Sequence, residues 1–87
     1  MASTVAKTVT SAAWVNISSG ASAGTVTNEG SSAVKIHLAA TLPDPSVSVG
    51  HTLPNGPGEL YRWADETLNV YARSTGVTTV VVVTTNG

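Results

Sequence analysis

The side chains best suited to acid–base work are His37 and His51, the only two whose ordinary pKa lies near neutrality. His37 alternates with Lys35 along a segment of period two, so it is expected as a solvated histidine on an outward face. His51 follows Gly50 and could meet Asp44 in space. Two ligands do not make a metal site, because zinc wants four, or three and a water. The chain has no cysteine and no H-x-x-x-H spacing, so neither a metal nor a cofactor is expected. Asp65 and Glu66 are adjacent, but at a strand tip they read as a solvated turn and not as a catalytic carboxylate pair. Serine and threonine abound without a G-x-S-x-G elbow, and no glycine-rich phosphate loop is present. These residues predict no catalytic machinery and a protein that is not an enzyme.

The aromatic side chains are the next candidates for recognition. Tyr61 and Trp63 stand two residues apart on one strand face, and with Tyr71 they could form a stacking platform for a sugar ring. The competing reading is that they fill a core otherwise made of valine and alanine. Trp14 points opposite to Val15 and Ile17, so it either caps the fold or meets a partner. Core or interface is the expectation for all four. Val81 and Val83 join them as candidate interface residues. They lie in Gly76-Val77-Thr78-Thr79-Val80-Val81-Val82-Val83-Thr84-Thr85, a β-branched run with no charge and no proline. Such a run suits a strand buried on both faces, or on one face by its own domain and on the other by a neighbouring subunit. Left bare it would aggregate.

The elements that would position these residues are strands, since a period of two recurs and a period of 3.6 does not. Expected strands cover 4–10, 13–17, 21–27, 33–40, 59–63, 68–73 and 77–84, with a short one over 47–49. Leu42-Pro43-Asp44-Pro45 cannot lie inside a strand, because two prolines remove two ladder donors. The Pro/Gly-rich stretch 41–58 is expected to carry the chain from one sheet to the other. Asn28-Glu29-Gly30-Ser31-Ser32 reads as a loop, and the tips 64–66 and 74–76 read as hairpin connections. Seven or eight short antiparallel strands at this spacing predict an all-β fold, a small two-sheet β-sandwich, Ig-like or jelly-roll-like.

Eighty-seven residues hold one domain, 1–87, with 1–3 and 86–87 expected to be flexible. Charged residues make up 10% of the chain, well under the usual quarter, and the net charge is −1. Lys7, Lys35, Arg62 and Arg73 are scattered and balanced by acids, which argues against nucleic acid as a partner. No apolar stretch is long enough for a bilayer and no signal peptide is visible, so the product is expected in the cytoplasm at synthesis. Asn16-Ile17-Ser18 matches a glycosylation acceptor only formally.

Read in order, the strands bring out a likeness. A tryptophan strand, Ala13-Trp14-Val15-Asn16-Ile17, runs through a Gly/Ser-rich link into Val26-Thr27-Asn28-Glu29-Gly30. The alternating Val34-Lys35-Ile36-His37-Leu38, a Pro/Gly-rich loop, and Leu68-Asn69-Val70-Tyr71-Ala72-Arg73-Ser74 with the valine run complete it. This pattern resembles the small β-sandwich virion proteins of tailed bacteriophages, above all the capsid decoration (cement) proteins. The likeness spans most of the chain and rests on strand order and residue flavour. It implies a virion structural protein on the capsid surface that binds the major capsid protein or other virion proteins, as a homo-oligomer with a trimer favoured. The same likeness leaves open a small tail or tail-fibre component, or a glycan- or receptor-binding β-sandwich module.

Overall fold

The computed structural model describes residues 2–18, 20–55, 60–64 and 67–86. Eight strands follow one another: β1 (Ala2–Val9), β2 (Val15–Asn16), β3 (Ala23–Asn28), β4 (Val34–Ala39), β5 (His51–Leu53), β6 (Leu60–Trp63), β7 (Asn69–Ser74) and β8 (Thr79–Asn86). They form two antiparallel four-stranded sheets, ordered β1-β8-β3-β6 and β2-β7-β4-β5. The expected all-β, two-sheet sandwich is what the chain forms.

The pairings β1 with β8, β2 with β7, β3 with β6 and β4 with β5 describe one long folded ribbon. Rolling that ribbon up brings β3 beside β8 and β4 beside β7. This is the double Greek key of the jelly roll, which resolves the alternative between jelly-roll and Ig-like orders.

The rolled ribbon overturns several expected connections. The stretch 41–58 does lead from the β4 sheet toward the β6 sheet as expected, but β5 interrupts it: segment 40–50 joins β4 to β5 inside one sheet, and the crossing comes only after β5. The tips 64–66 and 74–76 are not hairpins, since β6, β7 and β8 alternate between sheets. Turn-forming residues mark where a chain reverses, not whether it re-pairs with the strand just left. Asp65 and Glu66 themselves lie outside the described residues. The short strand expected over 47–49 sits instead at His51–Leu53, because 44–47 is taken up by a tight turn. Ala2, Ser3 and Asn86, expected to be flexible, are in strands, with Ala2 opposite Asn86.

Alternate residues of each strand meet between the sheets. Val9, Ile17, Val26, Val34, Ile36, Leu53, Trp63, Val70, Ala72, Val81 and Val83 form the core, with Val15, Leu38 and Tyr61 packed against it. Small β-branched side chains suit this space because two pleated faces must close to about 10 Å. Trp63 supplies bulk at one end, and its indole N–H donates to the Ala21 carbonyl at 3.2 Å. Two buried polar side chains fasten loops to the core. Asn28 donates to the Ser32 carbonyl at 2.7 Å and accepts from the Gly30 N–H at 3.1 Å. Ser18 Oγ accepts from the Val70 N–H at 3.2 Å.

Candidate functional site

The two outer faces of the sandwich are unlike. On the β2-β7-β4-β5 sheet, the outward residues of β4 and β7 include Lys35, His37, Tyr71 and Arg73, in cross-strand pairs His37–Tyr71 and Lys35–Arg73. Segment 40–50 folds back across this face and is tied down from three places. The Trp14 indole N–H donates to the Val47 carbonyl at 3.0 Å. His37 Nδ1 bonds the Val49 carbonyl at 2.8 Å. The Arg73 guanidinium donates to the carbonyls of Ser11, Pro45 and Val47 over 2.5–3.1 Å. Trp14 lies between its neighbours, with the His37 ring centroid at 5.3 Å and the Arg73 guanidinium 5.7 Å from its own ring centre. Asp44 starts the turn: Pro45 follows it, the Val47 N–H reaches its carbonyl, and the Ser46 N–H donates to its carboxylate at 2.9 Å. The Ser46 N–H, then the Ser46 hydroxyl, hold the Asp44 carboxyl below its ordinary pKa.

His37 is therefore half-buried against Trp14 and bonded to the strap, not the solvated side chain expected. His51 does not meet Asp44; its ring stacks on Tyr61 at 5.9 Å. Among the described residues no three histidine, aspartate or glutamate side chains gather as a metal site.

The six residues expected at an interface are placed mostly inside. Trp63, Val81 and Val83 belong to the core, and Tyr61 packs against it half-buried. Trp14 and Tyr71 are buried too, on the outer side of the strapped sheet. Tyr61 and Tyr71 stand on different sheets and different faces, so no aromatic platform assembles. Asn28, expected in a loop, ends β3 and is fully buried.

What the fold leaves uncovered is the outer face of β1-β8-β3-β6. The register sets Thr4, Thr84, Thr25 and Arg62 side by side across all four strands. The next row is Ala6, Val82, Thr27 and Leu60, and beyond it Thr8 pairs with Val80. These are the positions that alternate with the buried Val81, Val83 and Val26, so the same valine run feeds the core and this face. Arg62 is the only charge in the three rows. Thr4 and Thr84 bond to each other through their hydroxyls at 2.9 Å, which holds both rotamers on the surface. Val80 and Leu60 are 39% and 56% exposed, a large apolar presence for a surface that sheds no area into its own domain.

The edges, by contrast, are blunted. β2 and β5 span two and three residues, and β6 four. β1 is long, but Lys7, opposite Val81, points inward from it, and an inward lysine on an edge strand opposes pairing with another chain. Sequence reasoning singled out Val81 and Val83, which the fold buries, and did not separate them from Val80 and Val82 on the outer face. The missing signal was phase: a run of four valines has no alternation from which to tell in from out. The chain matches no known family model, no curated protein and no solved structure.

Proposed function

We propose that this protein is a phage virion structural protein, a capsid decoration (cement) protein that lays the open β1-β8-β3-β6 face on the major capsid protein lattice and stabilises the head. The observation that carries the reading is that face: nearly uncharged, built of threonine, valine and leucine rows, and unprotected while the opposite face is strapped. By architecture alone, jelly rolls of this strand order recur in viral capsid domains, which is an analogy of fold and not of site.

The size of the face suits repetition. Strands of eight, eight, six and four residues at about 3.4 Å per residue and about 4.8 Å apart give roughly 400 Å². A standard stable interface takes about 800 Å² per partner, so one copy alone binds weakly. A homo-oligomer, a trimer at a three-fold position, joins several such contacts and gains through effective concentration. Low charge favours this, since dense copies on a shell repel one another little.

The test is to compare heads assembled with and without the protein. Heads lacking it are expected to assemble yet burst at lower temperature, and added wild-type protein should restore them. The variant Ala6→Glu/Leu60→Glu, which sets charges at the two exposed ends of the middle row on strands that do not pair with each other, should fold normally and fail to restore. Equal robustness of the two kinds of head overturns the role. So does a location in few copies that are lost with the tail.

A further inference from the structure

On the strapped side, between the end of β1, the strap and the β4–β7 pair, lies a cleft of about 260 Å³ lined by Ser11, Trp14, Lys35, Ser48, Arg73 and Thr75. Two of the chain's four lysines and arginines, 38 residues apart in sequence, are brought together here as direct cross-strand partners. Like charges in that relation destabilise a sheet. Among the described residues neither cation has a carboxylate partner.

The two cations differ in freedom. Arg73 is fixed, with its guanidinium bonded to three carbonyls and backed by the Trp14 ring. Those bonds use its N–H groups without neutralising its charge. Lys35 has no hydrogen bond among the described residues and is free to reach a ligand. Around them stand hydroxyls able both to donate and to accept. Those of Ser11 and Ser48 take no partner among the described residues, and Thr75 Oγ1 donates only to the Ala33 carbonyl at 2.8 Å. Uncompensated positive charge asks for an anion, and free hydroxyls ask for a polyol. The volume falls just under the roughly 300 Å³ at which drug-sized pockets begin, which leaves room for one ring-sized ligand.

We propose that this cleft binds an acidic sugar of the uronate class, its carboxylate on Lys35 in the field of Arg73 and its ring hydroxyls on Ser11, Ser48 and Thr75. The site lies on the face opposite the one assigned to the lattice, so it stands whether or not the lattice role does.

The experiment is an amide-resolved NMR titration of the folded full chain with sodium glucuronate, glucose and sodium acetate at matched ionic strength. Glucuronate should give saturable shifts at Ser11, Lys35, Ser48, Arg73 and Thr75. It should bind about ten-fold tighter than either glucose or acetate, the factor expected for one charged hydrogen bond added to a neutral set. Lys35→Gln should lose about ten-fold for glucuronate and leave glucose unchanged, with its spectrum otherwise that of the folded wild type. Lys7→Gln should change nothing. Glucose matching glucuronate would remove the role of charge, and acetate matching it would remove the role of the ring. Either result, an unaffected Lys35→Gln, or shifts that never saturate, overturns the assignment.

Discussion

Replacing Val80 and Val81 one at a time tests the phase of β8, on which both the core and the proposed contact face depend. Val81 is fully buried and its neighbour Val80 is 39% exposed. Val81→Ala removes two methyl groups from a closed space, about 1.5 kcal/mol of transfer at 0.8 kcal/mol each. A residual cavity of roughly 40 Å³ adds about 1 kcal/mol at 24 cal/mol per Å³. The total of about 2.5 kcal/mol lowers the melting temperature by roughly 10–20 °C for a domain this size. Val80→Ala loses part of its burial and some strand preference, about 0.5 kcal/mol, which shifts melting by only about 2–4 °C. The aspartates widen the gap. A total stability of roughly 4–13 kcal/mol follows from 0.05–0.15 kcal/mol per residue, and an unpaired buried charge costs several kcal/mol of it. Val81→Asp should therefore yield no soluble folded protein, whereas Val80→Asp should fold. Thermal and urea unfolding of the four variants provide the measurement. Alanine variants that melt within a few degrees of each other would show that β8 does not divide its valines between two faces.

Four further expectations concern the loops and the first residue of β8. At Gly30 an added Cβ would lie 1.4 Å from Thr79 Oγ1 and 2.7 Å from the Val80 nitrogen, so Gly30→Ala should cost about 1–3 kcal/mol in urea unfolding. The Thr79 hydroxyl is buried without a partner among the described residues, and Thr79→Val should be neutral or stabilise by about 1 kcal/mol; a clear loss would mean that the hydroxyl is satisfied. Arg73→Gln should release the strap, so hydrogen exchange should quicken across 41–50 and leave the Val81 and Val83 amides protected; unchanged exchange in the strap would refute its anchoring. Asp44 should titrate below the ordinary aspartate value by carboxyl NMR, moving part of the way back in Ser46→Ala, where the backbone donor persists. Because its folded pKa is the lower one, its contribution to stability is present above the unfolded pKa and fades as pH falls through the folded value.

How much of this was legible in the chain varies by element. Alternation alone located β1, β3, β4 and β7 and gave the right inward set in β4, because Lys35 and His37 break the apolar side cleanly. Trp14 was correctly set against Val15 and Ile17. Alternation says nothing about what lies above an outward residue, so the strap over Trp14 and His37 was invisible. It held no answer within β8, where valine occupies both phases. Strand order was equally hidden, since it depends on pairings between distant segments. For the same reason Lys35 and Arg73 looked dispersed although they are adjacent.

The position of β8 inside its sheet has a consequence for how the chain reaches this state. β1 and β3 never pair with each other; each reaches β8, and β1 has no other partner strand. During synthesis, everything up to residue 78 can be out of the ribosome while the ladder still lacks its middle rung. Closing it requires β1 to find a segment on the far side of the chain, and such long loops slow folding. In that interval the nascent polypeptide displays two unmated edges, and the piece that seals them is itself the most self-adhesive stretch it contains. Faster elongation into residue 79, or a chaperone that shields β1 until then, should raise the yield of native protein without altering a single native contact.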